Sequence, residues 1–150
     1  MQKVEKVYYG SAAVFVLILS GLLYRIFFIL ENFNSIETAQ FIYRDSASIL
    51  MYSTPAFFIV LMILSNMITV KSGQGRYFIF SYLFFAVFTV VDYVFAAESY
   101  FLFTKRAGLW AGGFSVAGLA GLFLCFVAFI LSLVNYLILN TLRKTTTHKK

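Results

Sequence analysis

Four apolar stretches, residues 7–30, 49–70, 77–97 and 116–139, fill most of this 150-residue chain. Each is long enough to cross a hydrocarbon core ~30 Å thick at ~1.5 Å per residue. In lipid every backbone amide must find its partner within the protein, which leaves helices as the spanning form for segments of this length. The expected fold is therefore an all-α integral membrane protein, a four-span helical bundle forming one membrane domain over residues 1–150. Composition agrees: 61% of residues are hydrophobic and the mean hydropathy is +0.87, against ~45–50% apolar residues in soluble domains.

The charges sort by side. An even number of spans puts both termini and the 71–76 turn on one face of the membrane. That face carries Lys3, Lys6, Lys71, Arg76, Arg143, Lys144, Lys149 and Lys150 against one acid, Glu5. The other carries Arg44, Lys105 and Arg106 with Glu31, Glu37, Asp45 and Glu98. Basic excess marks the cytoplasmic side, or the matrix side of an organelle, so both termini are expected there. The net charge of +6 is thereby assigned to anionic lipid headgroups, not nucleic acid. The first apolar run is too long for a signal-peptide core and no small-residue cleavage site follows it, so an uncleaved anchor is expected.

Connections are short. Lys71-Ser-Gly-Gln-Gly-Arg76 is a turn that forces the second and third spans into an antiparallel hairpin. Residues 31–48 form the longest connection, and residues 109–115, with Trp110 and the Gly112-Gly113 pair, suit an interfacial segment. Ile63-Leu-Ser-Asn66 and Ile130-Leu-Ser132 with Asn135 share a short pattern that hints at a duplicated hairpin.

Catalytic and ligating residue sets are sparse. Cys125 is the one cysteine and His148 the one histidine, so zinc, haem and iron–sulfur ligation find no donor set. Gly113-Phe-Ser115-Val-Ala117 loosely matches a nucleophile elbow, but no histidine is positioned to act as base. The expectation is a protein without enzymatic activity, cofactor or metal, compatible with a bound lipid.

Three features stand above this background. Arg25 and Asp92 are ionisable residues within spans, 18 residues past Val7 and 16 past Arg76. Their depths differ by about 3 Å, so an intramembrane ion pair between the first and third helices is one economical solution. The alternatives are that Arg25 reaches the headgroups while Asp92 meets water or a partner subunit, or that Asp92 and Glu98 line an ion path. Gly113, Ala117, Gly121 and Cys125 recur every four residues as a helix-packing face. Ala128 and Ser132 continue a neighbouring small-residue face. Finally, there are 19 Phe and 10 Tyr. Tyr8, Tyr9, Tyr77 and Tyr100 fall where interfacial belts form, while Tyr82 and Tyr93 need hydroxyl partners within a span.

Arg25 near the end of one span, Ile49-Leu-Met-Tyr-Ser-Thr-Pro55 opening the next, and Leu64-Ser-Asn66 beyond it resemble the seven-span, receptor-like tobamovirus-multiplication proteins and their animal orphan-receptor relatives. The resemblance covers residues 12–103, the middle spans of that family, and this chain has four spans where the family has seven. It implies a receptor-like role in membrane trafficking. Four spans with both termini on one side also resemble MARVEL-type tetraspan proteins in architecture. Together with the missing catalytic sets, these features give three expectations: an accessory subunit or scaffold partnered by other transmembrane subunits, a trafficking factor, or a small oligomeric channel or transporter. The host membrane is left open between an organellar inner membrane and an endomembrane.

Overall fold

The computed structural model describes residues 3–31, 35–73, 75–96, 104, 108 and 117–147. Its helices are α1 (Lys3–Glu31), α2 (Ile36–Ser72), α3 (Arg76–Val90), continued by a π-helical turn at Val91–Ala96, and α4 (Ala117–Thr147). All four are long and apolar enough to cross a membrane. The expected spans are thus present, with boundaries that differ most at α2.

Residues 36–48 are not a connection but the first turns of α2. Ser35 caps the helix with an extended backbone, its Oγ accepting from the Thr38 amide at 3.2 Å, and Glu37 in the first turn complements the helix dipole. Ala39, Ser46 and Leu50 then continue the buried face that runs on through Thr54, Leu61, Ser65 and Ile68. The polar composition of residues 36–48 masked a helical spacing. At 37 residues, α2 is about 55 Å long and exceeds the ~30 Å core, so its first turns pass through the headgroup region. Pro55 lies inside it and withholds one amide hydrogen; Ser53 Oγ donates to the neighbouring Leu50 carbonyl at 3.4 Å. The helix ends at Gly73, whose φ of 70° and amide bond to the Thr69 carbonyl make a left-handed C-cap.

Contacts fix the directions. Tyr8 of α1 meets Tyr77 and Ser81 of α3, while Leu19, Leu23 and Ile26 pack with Leu50 of α2 and Phe88 of α3. Leu61 and Ile68 of α2 lie with Tyr8 and Tyr77. Phe78 and Tyr82 of α3 meet Tyr136 and Phe129 of α4. Each helix therefore runs antiparallel to the one before it. The N-termini of α1 and α3 and the C-termini of α2 and α4 share one end, here called the basic end. α2 and α3 form the centre; α1 packs chiefly on α2, and α4 on α3 with a smaller contact to α2. The outward faces are apolar, with side chains such as Leu17, Ile59, Ile79 and Phe123 exposed, as a lipid solvent requires.

Candidate functional site

Near the basic end, three helices meet on one backbone oxygen. The Tyr77 carbonyl accepts from Tyr8 Oη at 3.2 Å, Ser65 Oγ at 3.1 Å and Ser81 Oγ at 2.8 Å. Ser81 Oγ also lies 2.9 Å from both Tyr8 Oη and Ser65 Oγ. Three hydroxyl protons serve five close contacts, so the donors must alternate among them. All four residues are buried. Above this knot, Tyr77 Oη donates to Glu5 Oε1 at 3.1 Å and accepts from Arg76 at 3.4 Å, with the Arg76 guanidinium 5.2 Å from the Tyr77 ring centroid. Glu5 is 8% exposed. Its carboxylate stands in the first turn of α1 and beside the first turn of α3, two positive helix ends that favour a buried acid. Tyr8 and Tyr77 thus point inward at 2% and 1% exposure, which corrects their assignment to an interfacial belt: each has a hydrogen-bond partner inside the bundle, so the interior holds them.

Beside this knot, one residue on from Ser65, Asn66 of α2 and Asn135 of α4 exchange two amide hydrogen bonds. Asn135 Nδ2 donates to Asn66 Oδ1 at 2.8 Å, and Asn66 Nδ2 returns a bond at 3.4 Å. The two asparagines stand on helices that run in the same direction, two residues out of register in the short pattern the spans share. The pair itself was not foreseen; two lone asparagines inside apolar spans were the available signal.

Towards the other end, Asp92 opens the π-helical turn and is 8% exposed. Thr89, one turn earlier, is buried, and Ser46 and Thr54 on the inner face of α2 have buried hydroxyls without a hydrogen-bond partner. Ser132 of α4 has the same property. On α4, Gly121, Cys125, Ala128 and Ser132 form the buried stripe. A Cβ at Gly121 would collide with the Tyr93 Cβ and lie 3.0 Å from its Cγ, so glycine lets the π-helical turn approach the α4 backbone. The Cys125 thiol meets the Thr89 side chain.

The residues singled out from sequence fare differently. Arg25 is bonded not to Asp92 but to Asp45, 3.5 Å away, with the two side chains 48% and 45% exposed. The expectation of an Arg25–Asp92 pair is corrected by the early start of α2. That start puts Asp45 on a helix alongside α1, whereas Asp92 is buried elsewhere on α3. Gly121 faces Tyr93 of the π-helical turn and Cys125 faces Thr89 of α3. Ala117 is the first residue of α4, and Gly113, Glu98, Tyr100 and the 109–115 segment lie outside the described residues. Among the described residues no group of three His, Cys, Asp or Glu side chains is placed to hold a metal ion. No family model matches the chain, and comparison with curated proteins and with solved structures yields no significant match.

Proposed function

We propose that this protein is a non-catalytic accessory or scaffold subunit of a larger membrane complex, with both termini on the cytoplasmic or matrix side. The observation that carries this is the use of polar groups in the basic half of the bundle. The Tyr77 carbonyl knot, the Glu5–Tyr77 bond and the Asn66–Asn135 pair tie helices to one another. Each helix meanwhile keeps a broad apolar face outside. A bundle with such internal ties is suited to presenting rigid apolar faces to neighbouring transmembrane subunits. The orientation follows from the basic excess at the end that holds the termini.

The test is extraction in mild detergent followed by sizing and identification of what co-migrates. Co-migration with a large complex of fixed composition is the expected result. Recovery as a free monomer would overturn the proposal and favour a trafficking factor. A monodisperse homo-oligomer would favour the second alternative, a small channel or transporter. One observation supports that alternative: a buried carboxyl, Asp92, in a π-helical turn, a distortion frequent at functional sites. Its own test is ion flux into vesicles, which Asp92→Asn should abolish under the channel reading and leave at background under the subunit reading.

A further inference from the structure

We propose that the basic end of the bundle binds the phosphate-bearing headgroups of anionic phospholipids, through a face of six exposed cations whose neighbouring acid has been withdrawn into the core. Lys3 and Lys6 stand at the start of α1, Lys71 at the end of α2, Arg76 at the start of α3, and Arg143 and Lys144 near the end of α4; all are exposed. The antiparallel order of the helices brings all six to one end. The acid at that end, Glu5, is buried, accepts from Tyr77 and offsets part of the charge of nearby Arg76; among the described side chains it is one acid against six exposed cations.

The contrast with the opposite end is sharp. There, among the described side chains, Arg25 is bonded to Asp45 and exposed Arg44 is balanced by exposed Glu37. Among the described side chains, the positive excess lies at one end only. Nor is it explained by helix stability. Lys71 and Lys144 lie in the last turns of α2 and α4, where a cation complements the helix dipole. Lys3, Lys6 and Arg76 lie in the first turns of α1 and α3, where the dipole opposes a cation. Arg143 reaches across from α4 so that its guanidinium occupies the space a Cβ at Gly73 would need. This brings Arg143 of α4 against the α2–α3 turn. The face lies at the ends of the spans, with exposed apolar side chains such as Val7, Val70 and Leu142 close by on the same helices. A lipid can therefore satisfy the charge with its headgroup and the apolar flank with its chains. A basic residue at a membrane surface attracts an anionic lipid by ~1 kcal/mol.

The experiment uses the whole protein in phosphatidylcholine vesicles containing spin-labelled phosphatidylglycerol or spin-labelled phosphatidylcholine. The fraction of label immobilised at the protein gives the relative association of the two lipids. A preference for phosphatidylglycerol of about fivefold is expected at low salt, one cation meeting each headgroup. It should fall towards unity in 1 M salt, where the Debye length is ~3 Å. The triple variant Lys3→Gln/Lys6→Gln/Lys71→Gln should lose at least about half of the preference, expressed as its logarithm, in keeping with three of six cations removed. Arg44→Gln, at the opposite end, should leave it unchanged. Equal association of the two lipids by the unaltered protein would overturn the proposal without any variant having to fold, and would leave the basic face to an acidic protein. A preference that survives the triple change, or that Arg44→Gln lowers equally, would also overturn it.

Discussion

At the scale of single residues, the membrane interior makes every polar side chain a question of partners. Arg25 and Asp45 are about half exposed, so their attraction is screened and their coupling should amount to a few tenths of a kcal/mol. In a detergent-denaturation double-mutant cycle, Arg25→Gln and Asp45→Asn should show that small coupling. Arg25→Gln and Asp92→Asn should be additive, because they share no contact; coupling above about 1 kcal/mol between them would restore the intramembrane pair. The Asn66–Asn135 pair is half-buried and reciprocal. Asn66→Leu should destabilise the bundle by about 0.5–1.7 kcal/mol, the range of interhelical hydrogen bonds in membranes. Adding Asn135→Leu should recover much of that loss, since it removes the stranded amide. A double variant as unstable as the sum of the singles would show that packing, not hydrogen bonding, holds α2 to α4.

At the scale of helices, close approach substitutes for the hydrophobic effect. The Gly121 position on α4 has Tyr93 directly against it. Gly121→Leu should still insert, since leucine favours the membrane interior, but should cost about 2 kcal/mol or more by forcing α4 from the π-helical turn. Leu119 is 60% exposed and faces away, so Leu119→Phe should leave the denaturation midpoint unchanged. An unchanged midpoint for Gly121→Leu would mean that α4 is free to shift. Much of this face was legible in the sequence, because small residues at four-residue spacing mark one side of a helix. Which helix would fill the groove was not legible: periodicity orients a face about its own axis and carries nothing about the neighbour. The Tyr77 knot shows the same limit. Ser65 and Ser81 look like isolated tolerated hydroxyls until antiparallel packing brings them to one carbonyl.

At the scale of the whole molecule, the arrangement predicts a single sidedness. With Cys125 replaced by serine, cysteines introduced at Lys71 and Lys144 should react with an impermeant reagent from the same side of a sealed membrane. One at Glu37 should react from the other. The cytoplasmic or matrix side is the expected location of the first two. Labelling of Lys71 and Lys144 from opposite sides would break the antiparallel order itself. Labelling of both from the outer side would keep the fold but reverse the proposed orientation and with it the leaflet that supplies the anionic lipid.

Residue order alone determined that this chain is a membrane bundle of four helices and that its charge is concentrated at one end. Those properties depend on sums over long windows, and a solvent of lipid reads them directly. Tertiary structure alone decided the pairings. Asp45 became the partner of Arg25 because α2 starts at Ile36, well before residue 49, where the apolar stretch begins. Glu5 is buried where Tyr77, 72 residues away, donates to it. Such outcomes turn on ångström-scale distances between separate helices, and no local pattern along the chain encodes those distances.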